Sequence, residues 1–147
     1  MSKPSFSTTF LVNHPAKEVF NAINNVRGWW QGEIEGSTNQ LHDEFSYRSG
    51  EFHFSIQKIE ELIPDQKVVW RVTESKINFV ANKTEWVDTK ISFEIKQIDN
   101  QTQLRFTHVG LVPDLECYGS CSNAWSKLIN ESLFSLITKG LGTQVFG

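Results

Sequence analysis

Cysteine is scarce in this chain: Cys117 and Cys121 are the only two among 147 residues. Their i, i+4 spacing is not the two-residue gap of a redox motif, and no second pair completes a zinc site. Both are read as reduced thiols packed as small hydrophobes. Net charge is also low. Fourteen Lys and Arg against 17 Asp and Glu leave a formal charge of -3, and the basic residues stand singly, which excludes the basic stripe of a nucleic-acid surface. No apolar run approaches the roughly 20 residues of a membrane-spanning helix. Residues 1–9 lack the charged-then-apolar pattern of a secretion signal, so a soluble cytoplasmic protein is the expectation. Glycine-rich phosphate loops and nucleophile elbows are missing as well. No cofactor or metal is expected, and the Asn-x-Ser/Thr matches at Asn82, Asn100 and Asn130 carry no meaning in a chain that is not secreted.

What is present is periodicity. Tyr118, Cys121, Trp125, Leu128, Ile129, Ser132, Leu133, Leu136 and Ile137 recur at three- and four-residue steps. This predicts a long helix over 114–139 with one broad apolar face, its winding firm from about Ser120 because Gly119 weakens the first turns. Gly140 is its stop, with Leu141 folding back on Leu136. Ahead of it, Phe6, Thr8, Phe10 and Val12 alternate as a strand. Pro15 then opens a short helix with Val19, Phe20 and Ile23 inward, and a second helix or turn carries Trp29 and Trp30. Adjacent residues on one helix cannot both point fully inward, so one of these two tryptophans is expected at a rim.

A brief strand is read at 32–36, and from residue 44 the chain reads as antiparallel sheet, with strands at 44–48, 51–61, 67–73, 85–98 and 103–109 and Ser49-Gly50 as a hairpin turn. Phe52, Phe54 and Ile56 are read as sharing one face, Val68, Trp70 and Val72 as standing in register, and Val87, Ile91, Phe93 and Ile95 as lying on one side. The fold class is α+β, one domain over 1–147 with its core at about 6–140 and a tail at 141–147.

Seven strands about 4.8 Å apart make a sheet far wider than one helix of about 10–12 Å. The sheet must therefore curl around the long helix, leaving interior volume. Eleven Phe, five Trp and two Tyr are enough to hold such a shell and line a hollow. The candidate ligand-binding residues are Trp29, Trp30, Phe45, Phe54, Trp70, Trp86 and Phe93, joined by Trp125 on the helix. His108, Tyr118 and Ser132 supply polar groups. For any single aromatic, plain core packing is the more common role. His108 shares an inward face with Leu104 and Phe106, where an orienting or backbone-satisfied histidine outweighs a general base. His42-Asp43-Glu44 is read as a solvated loop rather than a metal cluster.

The order of these pieces is similar to a known family. Pro15-Ala16-Lys17-Glu18-Val19-Phe20 before Trp29-Trp30, Glu60-Glu61-Leu62-Ile63-Pro64, Val68-Val69-Trp70, the run 102–111 and Trp125-Ser126-Lys127-Leu128 together resemble the START-like superfamily, also called helix-grip, Bet v 1-like or SRPBCC. Within it, the chain resembles the branch of the C-terminal domain of the activator of heat-shock protein 90 ATPase. The resemblance spans about 6–140. It departs at Leu41-His42-Asp43-Glu44-Phe45, where the family's acidic turn ends in glycine. The chaperone activator carries a further N-terminal domain without counterpart in these residues.

The resemblance implies a helix-grip fold and three readings of function. The first is binding of a small apolar or amphipathic ligand between sheet and helix. The second is a co-chaperone-like surface for a chaperone partner. The third is cyclase or aromatase chemistry, for which no catalytic residue is assigned. Binding ranks first, with no nucleic-acid partner and a monomer or a homodimer paired through an exposed edge strand.

Overall fold

The computed structural model describes residues 4–145. Its chain order is β1 (Phe6–Val12), α1 (Ala16–Asn24), α2 (Val26–Trp29), β2 (Glu33–Gly36), β3 (Glu44–Ser49), β4 (His53–Ile63), β5 (Lys67–Ile77), β6 (Lys90–Ile98), β7 (Gln101–Val109), α3 (Tyr118–Lys127), a π-helical stretch (Leu128–Leu133) and α4 (Phe134–Lys139). The seven strands form one antiparallel sheet in the order β1-β7-β6-β5-β4-β3-β2. Helices α1 and α2 carry the chain from one edge of that sheet to the other. Two register shifts in the β4–β5 pairing, at Ile56/Gln57 and Ile59/Glu61, are bulges of the kind that sharpen local twist and bend a strand. They lie mid-sheet, where the curl around the helix is needed.

The long helix is continuous from Tyr118 to Lys139 but widens at Leu128–Leu133. In an α-helix every fourth residue drifts by about 40° around the axis. The wider π turn cancels part of that drift. As a result Cys121, Trp125, Ile129, Leu133 and Ile137 all stay buried, with Leu128 and Ser132 beside them. Asn130 Nδ2 donates to Thr8 Oγ1 (3.1 Å), tying the same helix to β1.

Several expectations are corrected. Pro15 caps α1 rather than entering it. Leu141 is 74% exposed and does not fold onto Leu136; Gly140, at φ 79, closes the helix alone through its N–H to the Leu136 carbonyl. The strand expected from 85 begins at Lys90, because residues 83–88 turn. Val87 therefore stands off the β6 face. On β4 the inward residues are Ser55, Gln57 and Ile59, all fully buried, so Phe52, Phe54 and Ile56 face outward. Apolar content misled here: this strand shows its apolar alternates to the outside and its polar ones to the core. Phe54 is covered instead by the Arg48 guanidinium, 4.7 Å from its ring centre.

Trp29 and Trp30 are both buried, at 1% and 3% exposure. The helix ends at Trp29 and Trp30 takes an extended backbone, φ -87 and ψ 107. The change of conformation turns both rings inward. Of the expected tail, residues 142–144 border Ser132 and Trp29, Thr143 N–H donates to Ser132 Oγ (3.2 Å) and Val145 N–H to Gln31 Oε1. Its last two residues, and 1–3 at the other end, lie outside the described residues.

The junction of β2 and β3 depends on Gly36. Its φ is 104, and a Cβ there would meet the Glu44 carbonyl oxygen at 2.5 Å and Phe45 Cα at 3.0 Å. Gly36→Ala is expected to destabilise the fold by about 2–4 kcal/mol, read from urea denaturation midpoints. An unchanged midpoint would contradict this account of the edge.

Candidate functional site

All five tryptophans are buried and packed in one region between the concave face of the sheet and the helix. Trp30 is at the middle. Its ring stacks on Tyr47 (4.1 Å, 15°), lies parallel to Trp70 (6.1 Å, 2°) and to Trp29 (6.1 Å, 12°), and meets Trp125 at 5.0 Å. Trp86, carried by the 83–88 turns, stacks on Trp125 (5.9 Å, 17°). Such offset contacts contribute about 0.5–1.5 kcal/mol each beyond buried area, so the interior expected to be hollow is largely filled by rings.

A smaller opening remains at the end where β3, β4 and α3 meet. It encloses about 180 Å³ and is lined by Trp30, Tyr47, Trp86 and Trp125, by His53, Cys121, Ala124 and Leu128, by Ser49 and Ser120, and by Phe52 and Phe79. Phe52 is 66% and Phe79 49% exposed; these two rings stand at its mouth. The wall carries no Lys, Arg, Asp or Glu. Of the residues expected to bind ligand, Trp30, Trp86 and Trp125 are brought together here. Trp29, Phe45, Trp70 and Phe93 lie deeper in the core, and Phe54 lies outside.

The three expected polar groups do not line this pocket. Ser132 Oγ donates to the Trp29 carbonyl (2.8 Å). Tyr118 is half-buried on the first turn of α3. His108 is fully buried, and its tautomer follows from its partners. The Trp125 indole N–H can only donate, so His108 Nδ1 accepts (3.0 Å), Nε2 carries the proton and donates to Thr89 Oγ1 (2.8 Å), and Thr89 donates on to the Trp86 carbonyl (2.6 Å). Both ring nitrogens are occupied. Burial, then the neighbouring His53, lowers its pKa to about 3.

The histidine that does border the pocket is His53, which stands edge-on to Trp86 (4.4 Å, 81°) and Tyr47 (5.3 Å, 89°). Burial lowers its pKa to about 4. Neither it nor Tyr47 was among the expected residues; on β4 the candidate was Phe54, which lies on the face opposite His53. Alternation on β3 (Phe45, Tyr47) was a signal that could have found Tyr47. Behind Trp86, its indole N–H donates to Cys117 Sγ (3.3 Å). A hydrogen bond from the Cys121 thiol holds the Cys117 thiol below its ordinary range and pushes that of Cys121 up, with burial adding to the latter. The start of α3 is fastened to the same turns, because Glu85 accepts the backbone N–H groups of Glu116 (2.8 Å) and Cys117 (3.1 Å). No group of three or more potential metal ligands occurs among the described residues, and none of their helices is long and apolar enough to cross a membrane.

The family model described as Activator of Hsp90 ATPase homolog 1-like protein matches residues 13–137. No curated protein matches the chain. Among solved structures, the Aha1 dimer from Colwellia psychrerythraea is similar, with TM-score 0.75, 22% identity, and 94% of this chain and 98% of that one covered. Protein SSP2350 from Staphylococcus saprophyticus follows with TM-score 0.70, 13% identity and 97% of each chain covered. DynU16, from the dynemicin biosynthetic locus, has TM-score 0.68 at 12% identity, over 96% of this chain and 49% of that one. At these identities the likeness establishes the fold.

His53 and His108 are neutral in the fold but titrate near pH 6.5 when unfolded. Below that pH the unfolded chain binds more protons, so their contribution to stability is complete above about pH 6.5. It is lost as pH falls towards about 4 for His53 and about 3 for His108. Thermal melts between pH 7 and 4.5 should show the melting temperature falling less steeply in His53→Phe than in the wild type. Parallel curves would refute the assignment to His53.

Proposed function

We propose a function for this chain from the premise that it belongs to the Activator of Hsp90 ATPase homolog 1-like family: it binds a small apolar or amphipathic ligand in the pocket between β3, β4 and α3. The observation that carries this reading is an opening of about 180 Å³ walled by Trp30, Tyr47, Trp86 and Trp125, without a charged side chain and with two exposed phenylalanines at its mouth. Ligand sites are mostly apolar clefts of about 300–1,000 Å³, and a cavity near 150 Å³ takes benzene. The ligand is therefore one or two rings, or a larger molecule that inserts only one end. Binding is favoured over turnover because His108 spends both nitrogens on structure and lies behind Trp86 and Trp125. The reading takes residues 1–147 as one cytoplasmic domain, monomeric or paired as a homodimer through an edge strand.

Ala124 borders the pocket from a half-buried position on α3. Ala124→Trp should fill the opening while the protein keeps its circular dichroism spectrum and cooperative melt. In amide NMR titrations with naphthalene, the wild type should give saturable shifts around the pocket and the variant none. Equal shifts in the variant, or none in the wild type, would overturn the reading.

The family description favours a second reading, a co-chaperone-like surface, for which Phe52 and Phe79 are the exposed apolar contacts. Calorimetry against a heat-shock protein 90 homologue decides it. A saturable isotherm weakened by Phe52→Ser supports this reading, and a flat one removes it.

A further inference from the structure

The inner face of β4 continues inward from the pocket as a polar strip. His53 borders the opening; Ser55 and Gln57 follow on the same face and are fully buried. Alternate residues of a strand lie about 6.7 Å apart, so Ser55 is one step behind the pocket wall and Gln57 two. Across the ladder Ser55 faces Ser75 of β5, which is 4% exposed, while Tyr47 and Phe45 of β3 face Ser55 and Gln57 from the other side. Gln57 Nε2 donates to Ser55 Oγ.

The remaining polar atoms of this strip are unmatched. His53 Nε2, Gln57 Oε1 and Ser75 Oγ are buried without a hydrogen-bond partner, as is the indole nitrogen of Trp70, whose ring is T-shaped against Phe45 (4.9 Å). An unmatched buried polar group destabilises the fold, and buried polar atoms in folded proteins are nearly always satisfied. Four such atoms on two adjacent strands, with His53 at the pocket edge, mark a place where a partner is supplied from outside the chain. Their chemistry restricts that partner. Gln57 Oε1 accepts only, Ser75 Oγ can donate, and the Trp70 indole nitrogen donates only. The complement is a molecule with a donor and an acceptor side by side. No charged side chain lines the pocket, so an ionised head would be buried without a counter-charge.

We propose that the ligand of this pocket is a neutral cyclic amide or similarly paired N–H and C=O group on a planar ring system. Its head passes His53 to the Ser55–Gln57–Ser75 strip, and its ring lies among Trp30, Tyr47, Trp86 and Trp125. This rests on the pocket being a ligand site and names the class of molecule it takes. The N–H donates to Gln57 Oε1 and the C=O accepts from Ser75, while the ring replaces water against the tryptophans. The strip lowers the stability of the empty protein and favours the loaded one, so recognition and stability are opposed at these residues.

Three probes of equal size separate the possibilities in amide NMR titrations: naphthalene, 2-quinolinone and 2-naphthoate. The expected order is 2-quinolinone tighter than naphthalene by roughly tenfold or more, the worth of one or two matched buried hydrogen bonds, with 2-naphthoate weakest. In Ser75→Ala the preference for 2-quinolinone over naphthalene should shrink towards unity, while the empty variant melts no lower than the wild type. Naphthalene bound as tightly as 2-quinolinone would overturn this inference and leave the pocket reading standing. So would a Ser75→Ala variant that keeps the full preference. Failure of all three probes would overturn both.

Discussion

At the centre of this molecule a buried hydrogen bond joins helix to sheet: the indole N–H of Trp125 on the long helix donates to Nδ1 of His108 on β7. Around it the Trp125 ring contacts Trp30, Trp86 and Phe106. A seven-stranded sheet has no other long helix to close on, so the position of this ring sets how far the sheet can curl. The bond also determines the His108 tautomer. The proton placed on Nε2 then reaches Thr89 and, through it, the turn that carries Trp86. Helix, sheet and loop are thus held in a single chain of donors and acceptors, buried at the Trp125–His108 link and part-buried at Thr89, and costly to leave unmatched.

That arrangement explains why the interior is mostly filled rather than hollow. A curled sheet around one helix leaves space, and the tryptophans occupy it: Trp29 and Trp30 arrive from the short helices, Trp70 from the sheet, Trp86 from the turns and Trp125 from the long helix. The space left lies at the end where the rings run out, between β3, β4 and α3. There the wall passes from indoles to His53, and behind it, buried on the inner face of β4 and β5, lie Ser55, Gln57 and Ser75. An apolar approach ending in unmatched polar atoms has the ordering of an amphipathic binding site, with area supplied by the rings and orientation by a few polar groups.

Much of the architecture was legible in the residues, and the reasons for the exceptions are physical. The long helix, β1 and the β3–β4 hairpin followed from periodicity and turn chemistry, and the departure at 41–45 from the family's glycine-ended turn is met by His42 itself taking a positive φ of 73. The face of β4 was misjudged because alternation tells which residues share a face and not which face is the core. Phe54 was taken as a ligand-binding residue on hydrophobicity, yet the surrounding tryptophans already satisfy the core from other elements. Partial exposure at Trp29-Trp30 rested on continued helix; a single extended residue lets both rings be buried, while Trp30 still lines the pocket. Of the site, Trp30, Trp86 and Trp125 were legible as aromatics on elements that must converge. Tyr47 was open to alternation with Phe45 on β3, His53 lies on the face of β4 opposite Phe54, and the roles of Phe79 and Ala124 depend on where the turns after β5 fall.

From the sequence alone the fold class and the order of its elements were determined, because each rests on local periodicity, capping and turn residues that act within a few positions of one another, while the family was legible as a resemblance in the order of short motifs. The face each strand turns to the core, the amount of the hollow that survives packing, and the meeting of His53 with Trp86 were decided only in three dimensions. Those depend on bulges, on loop paths and on the close packing of large rings, where a displacement of one residue moves a side chain from the pocket to the solvent.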